Sequence, residues 1–243
     1  MMTESLKRQK CLALLLDPDS YSADKVNELT AGLTPDQLPD FLFVGGSITK
    51  VHPGELITEL KRSTDIPVVL FPGNLLQLND EADSILLLSL ISGRNPELLI
   101  GTHVTAAPFL KKMKSEIIPT GYILINCGVK TSVEYISQTE AIPALKTDIA
   151  VATAIAGEML GLKLIYLEGG SGASHPVPPG LIRSVRENVS VPIIVGGGLR
   201  SAEHINDAYE AGADLLVMGN GYEDNPGLLK EACSVRNRWN LNG

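Results

Sequence analysis

Eight short apolar runs recur along the chain, and each stops at a small or polar residue. Leu12–Leu16 ends at Asp17, Phe41–Val44 at Gly45-Gly46-Ser47, Val68–Phe71 at Pro72-Gly73-Asn74, and Ser84–Ser89 near Gly93. Tyr122–Ile125 ends at Asn126, Leu164–Leu167 at Glu168, Ile193–Val195 at Gly196-Gly197-Gly198, and Leu215–Met218 at Gly219-Asn220. Most are continuously apolar, the pattern of parallel strands buried on both faces. Helical segments fit between them: Ala23–Leu33, Pro53–Ser63, Pro96–Met113, Lys146–Gly161, Pro179–Asn188, Ser201–Ala211 and Pro226–Asn237. Pro or Ser opens several, Ser201 begins a first turn, and Gly161 and Gly212 stand where a helix-ending glycine belongs.

Eight such units in 243 residues predict the α/β class and a (β/α)8 TIM-type barrel. The competitor is a doubly wound open sheet, but no Gly-x-Gly-x-x-Gly follows the first run. Only a dozen residues, 72–83, separate the third and fourth runs, so a shortened or missing third helix is expected. Asp65–Gly73 echoes Ser190–Gly197, and Phe43–Ser47 echoes Leu167–Ser171. These pair strand 3 with 7 and strand 2 with 6, as two similar half-barrels would. No linker divides the chain, which predicts a single domain over 1–243.

A net charge of −8 argues against nucleic-acid binding, which needs a basic face. It leaves room for a phosphorylated small molecule held by local N–H groups or a metal. Cys11, Cys127 and Cys233 lack zinc spacing and do not suggest disulfides, so a reducing cytoplasm is expected. The run Cys11–Leu16 is too short for a signal core or a transmembrane segment, and no other run reaches that length.

In a barrel the C-terminal strand ends share one face, and the chemistry gathers there. Those ends carry Asp17, Ser47, Glu168, Gly196–Gly198 and Gly219-Asn220. Glycines after strands 7 and 8 fit the recurrent barrel phosphate site, with ordinary turns as the bland alternative. Asp17 with Ser47 offers hard oxygens suited to Mg²⁺. A helix cap is an equal reading for Asp17, and Asp19 reads as a cap. Glu168 is the one acid in the loop Tyr166–Ala173 and suits a general base, or else an ion pair with Arg200. His52, His103, His175 and His204 read as surface or capping groups, with His175 the nearest to any ligand. Cys127 reads as packed. A phosphate-barrel isomerase or aldolase and a non-catalytic phospho-ligand binder are the competing functions.

These residues resemble the geranylgeranylglyceryl phosphate synthase family, which includes the heptaprenylglyceryl phosphate synthases. The matches are Leu16–Asp19, Val44–Ser47, Leu70–Gly73, Asn95-Pro96, Ile100-Gly101-x-His103-Val104, Pro119–Tyr122, Tyr166–Ala173, Val195–Leu199 and Gly219-Asn220. The resemblance implies Mg²⁺-dependent transfer of a prenyl group, most simply geranylgeranyl, from its diphosphate to the C3 hydroxyl of sn-glycerol 1-phosphate. It implies that Asp17 and Ser47 hold the metal, with Glu168 and Tyr166 as the catalytic pair. Tyr166, Leu167, Glu168, Gly169, Gly170, Ser171 and Gly172 would wrap glycerol phosphate, and Gly197, Gly198, Gly219 and Asn220 its phosphate. It also implies ether phospholipid biosynthesis and a homo-oligomer (dimer or higher); with no run of transmembrane length, any membrane contact would be transient, on product release. Gly169 stands where many members have Ala, Ser20 where a Lys is common, and Leu15 where some have Lys. The apolar neighbourhood of Ile85–Leu88, beside the missing helix, is the expected route for the prenyl tail.

Overall fold

The computed structural model describes residues 2–219, 225 and 227–242. Eight strands form the barrel: β1 (Cys11–Leu16), β2 (Phe41–Val44), β3 (Val68–Leu70), β4 (Ser84–Leu90), β5 (Glu116–Asn126), β6 (Leu164–Glu168), β7 (Ile193–Gly196) and β8 (Leu215–Met218). Each pairs in parallel with the next, and β8 closes on β1 through Cys11↔Leu215. A two-residue strand, Ile142–Pro143, lies beside the end of β5.

Parallel strands inside a helical ring are buried on both faces, which is why the runs are continuously apolar. Alternation along each strand splits the core in two. Ala13, Phe43, Val69, Leu86, Tyr166, Ile194 and Val217 fill the barrel interior. Leu12, Leu42, Ile85, Ile165, Leu167, Val195 and Leu216 pack the outer layer.

A short helix, α1 (Met2–Leu6), closes the barrel floor, and the outer layer comprises α2 (Ala23–Thr30), α3 (Pro53–Ser63), α4 (Thr102–Leu110), α5 (Ser132–Ser137), α6 (Thr147–Met159), α7 (Pro179–Arg186), α8 (Ala202–Glu210) and α9 (Leu228–Asn242). A π-helical turn, Glu97–Gly101, leads into α4. Ser201 caps α8 by accepting from His204 N at 3.2 Å. Gly161 and Gly212 end their helices at φ +88° and +107°, as expected.

The helix that would follow β3 is missing. Between Leu70 and Ser84 there is only a 3₁₀ turn, Leu75–Gln77, started by the Asn74 side chain on Leu76 N. Gln77 replaces a helix as the fastener: it accepts from Gly73 N at 2.7 Å and donates to Gly46 O at 3.0 Å. Two helices go beyond the sequence-based expectation. α1 puts Met2 and Leu6 into the barrel interior and anchors on Glu116. α5 rests on a capping box between Thr131 and Glu134, a Thr-x-x-Glu signal legible in the sequence.

Candidate active site

A cavity of about 960 Å³ opens at the C-terminal ends of the strands. Glu168, the last residue of β6, turns into it and is only 7% exposed. Its Oε1 accepts from Gly170 N at 2.5 Å. Burial raises its pKa above the ordinary 4.5, while the Gly170 amide and the Tyr166 and Tyr122 hydroxyls pull the other way. Tyr166 is fully buried, and its hydroxyl makes no hydrogen bond of ordinary geometry. Among the described residues Glu168 has no ion-pair partner, so the alternative of a pair with Arg200 is not realised. Leu167 alternates outward into the helical layer and does not reach the cavity. Gly169 lies off the cavity against Cys127, where a Cβ would come within 3.1 Å of the sulfur. Burial pushes the Cys127 thiol up to about 12, so it is a packing group.

The loop after β7 sits beside Glu168. Gly197 and Gly198 hold φ +85° and +71°, a left-handed pair suited to glycine. A Cβ on Gly197 would lie 2.7 Å from Gly170 N and 3.0 Å from Glu168 Oε1. Among the described residues no protein acceptor takes the amides of Gly197 and Gly198, and α8 begins just beyond. Open amides in a left-handed glycine pair, a few residues before a helix, suit an anion. Gly219 joins the same cavity, and Asn220 lies outside the described residues.

Across the mouth, Asp17 and Ser47 line the cavity from β1 and β2. Ser22, not Asp17, caps α2. Asp17 Oδ1 accepts from Asp19 N at 2.9 Å, and its carboxylate faces Gly46. Asp19 is a latch between loops: it accepts from Lys50 N and Val51 N, which lowers its pKa. Among the described residues no cluster of three His, Cys, Asp or Glu could cage a metal. One carboxylate and one hydroxyl fit instead an ion that keeps water and substrate phosphate oxygens, as Mg²⁺ does.

The cavity continues where the helix after β3 is missing, over Leu78, Ile85, Leu87 and Leu98. Its floor is aromatic: Phe71 stacks on Tyr166 with centroids 5.4 Å apart, and Tyr122 meets Tyr166 edge-on at 5.3 Å. His103 is the histidine that reaches the lining, bound through Nε2 to Ser89 Oγ at 3.1 Å with Nδ1 unpartnered. His175 does not reach it. It is exposed, with Nδ1 against Pro176 O.

Residues 4–235 match the PcrB family. The chain belongs to this family. A geranylgeranylglyceryl phosphate synthase of Spirosoma linguale is 50% identical over 236 residues, covering 97% of this chain and 94% of that protein. One of Korarchaeum cryptofilum is 41% identical, covering 93% and 91%. The Thermoplasma acidophilum (S)-3-O-geranylgeranylglyceryl phosphate synthase, solved in complex with sn-glycerol-1-phosphate, superposes with a TM-score of 0.87 at 29% identity, covering 98% and 97%. In this PcrB-family chain one cavity gathers Asp17, Ser47, Tyr166, Glu168, Gly170, Ser171, Gly172, Gly197, Gly198 and Gly219, and leaves out Leu167 and Gly169. The sequence assigned no role to Phe71 or Tyr122 and suggested a surface or capping group for His103, which the cavity lining corrects. The first two are legible as inward positions on β5 and just past β3, while the reach of His103 depends on how α4 packs.

Proposed function

We propose that the protein transfers a prenyl group, geranylgeranyl in the first instance, to the C3 hydroxyl of sn-glycerol 1-phosphate, releasing pyrophosphate. One observation carries the reading: Glu168 is buried where a glycine anion site meets an apolar groove. The amides of Gly197 and Gly198 hold the phosphate of glycerol phosphate, and Gly170–Gly172 leave room for its carbons. That binding sets the C3 hydroxyl beside Glu168. The C1–oxygen bond of the prenyl diphosphate breaks, the hydroxyl oxygen bonds C1, and Glu168 takes the proton. Holding both substrates in one cavity removes much of the entropic barrier. Positive charge developing on the allylic carbon faces the rings of Phe71, Tyr122 and Tyr166. Tyr166 is buried behind Glu168, and we assign it to positioning the carboxylate. Asp17 and Ser47 would hold Mg²⁺, which when bound offsets charge on the leaving diphosphate.

We read the chain as one barrel domain acting in the cytoplasm, a placement supported by its three unpaired, buried cysteines. No helix among the described residues is long and apolar enough to cross a membrane. The exposed Val104, Phe109, Met159 and Leu160 on the flank of α4 and α6 suit a second copy of the chain. Labelled sn-glycerol 1-phosphate incubated with prenyl diphosphates of graded length tests the reaction. Ether product with an optimum at one length is expected, and no product from any pair overturns the reading.

A further inference from the structure

We propose that Arg200 binds the phosphate of glycerol phosphate, supplying the counter-charge that the glycine amides beside it lack. The proposal rests on the prenyl-transfer reading. Among the described residues that line the cavity, Asp17 and Glu168 are the acids and Arg200 is the one permanent cation. The loop after β8, residues 220–224, adds two acids and no Lys or Arg to the sequence there. The two substrates bring three phosphoryl groups to this cavity. For the diphosphate the proposed counter-charge is Mg²⁺ at Asp17 and Ser47, across the mouth. For glycerol phosphate it is Arg200.

Arg200 stands two residues after Gly198, on the loop whose open amides face the cavity. Its backbone is pinned there. The Arg200 N–H donates to His204 Nδ1 at 3.4 Å, and Ser201 Oγ accepts from His204 N at 3.2 Å. The side chain is exposed and lines the cavity. Among the described residues it has no ion pair and no hydrogen bond. Glu203, the acid nearest in the chain, is exposed on the first turn of α8 and does not pair with it, and Glu168 is bound to Gly170 N instead. An arginine already paired would have to break that pair to take a ligand; Arg200 has none to break. The site also needs a cation. A Cβ on Gly197 would lie 3.0 Å from Glu168 Oε1, so a phosphate on these amides comes close to a second negative charge. Backbone amides offer hydrogen bonds and partial charge, not a full counter-charge. A guanidinium offers both, and its planar fork matches two phosphate oxygens at once.

Calorimetry on the full chain with sn-glycerol 1-phosphate tests the assignment. Arg200→Ala should bind it about thirtyfold more weakly, within the range for losing a hydrogen bond to a charged group. Arg200→Lys should lie between, because an ammonium is a point charge without the fork. Guanidinium ion added at millimolar concentration should restore part of the loss in Arg200→Ala and improve nothing in wild type. In steady-state kinetics the KM for glycerol phosphate should rise by a similar factor, with the KM for prenyl diphosphate and the melting temperature little changed. An Arg200→Ala variant that binds glycerol phosphate as tightly as wild type overturns the proposal, as does a loss confined to prenyl diphosphate. A lowered melting temperature with no rescue by guanidinium assigns Arg200 to the start of α8 and overturns it too. If wild type binds glycerol phosphate and forms no ether product with any prenyl diphosphate, the transfer reading fails, and the calorimetry still decides Arg200. Wild type that binds no glycerol phosphate overturns both.

Discussion

β3 and β7 lie four units apart, are preceded by similar sequence, and end in opposite uses. Asp65–Gly73 leads into a three-residue 3₁₀ turn, whereas Ser190–Gly197 leads into α8 capped by Ser201. Where the helix follows, the left-handed Gly197–Gly198 pair leaves two amides open toward the cavity, which we propose as the phosphate site. Where it is missing, Ile85 and Leu87 become cavity wall. In the proposed function the same kind of strand end serves the polar substrate on one side and the apolar one on the other. Glu168 stands between them.

The largest effect is expected at that junction. Glu168→Gln should lower kcat by about a thousandfold, within the range for a general base, with KM for glycerol phosphate nearly unchanged. Steady-state kinetics decide it, and a variant with wild-type kcat removes Glu168 from the chemistry. Thermal melting supplies a second readout. A carboxyl whose folded pKa lies above its unfolded value binds more protons when folded. Its contribution to stability therefore declines as pH rises from the ordinary 4.5 toward the raised value. Glu168→Gln should remove that decline and melt no lower than wild type at neutral pH.

Gly197→Ala attacks the polar side alone. The left-handed φ costs an alanine about 1–2 kcal/mol, and its Cβ would press on Gly170 and Glu168. An increase of about a hundredfold in KM for glycerol phosphate is expected, with KM for prenyl diphosphate little changed. Leu87→Trp attacks the apolar side alone. It should raise KM for geranylgeranyl diphosphate by about tenfold and leave geranyl diphosphate within about twofold. If either substitution disturbs both substrates equally, the division between the two sides is wrong. Tyr166→Phe should be mildest, a few-fold loss in kcat, with the acidic limb of the kcat/KM profile moved upward because a group favouring the charged carboxylate is lost. In wild type that limb should lie above 4.5.

Much of this was legible before the structure. The eight apolar runs matched the eight barrel strands because two-sided burial leaves no room for polar alternation. Glu168, Asp17 and the late glycines were legible because strand ends in a barrel converge. Other features depended on contacts the chain makes far from itself. Leu167 belongs to the outer layer because register, not loop membership, sets its direction. His103 rather than His175 reaches the cavity because α4 packs over the outer face of β4. α1 was missed because five residues form a helix here only by docking into the barrel floor.

The sequence by itself determined the barrel, the gap after β3 and the inventory of acids and glycines, because periodicity and turn chemistry are local. Tertiary structure alone decided that Glu168 is buried beside unclaimed amides and that Phe71 and Tyr122 sit beneath it. Burial and juxtaposition are set by contacts between strands far apart in the chain, and no local pattern encodes them.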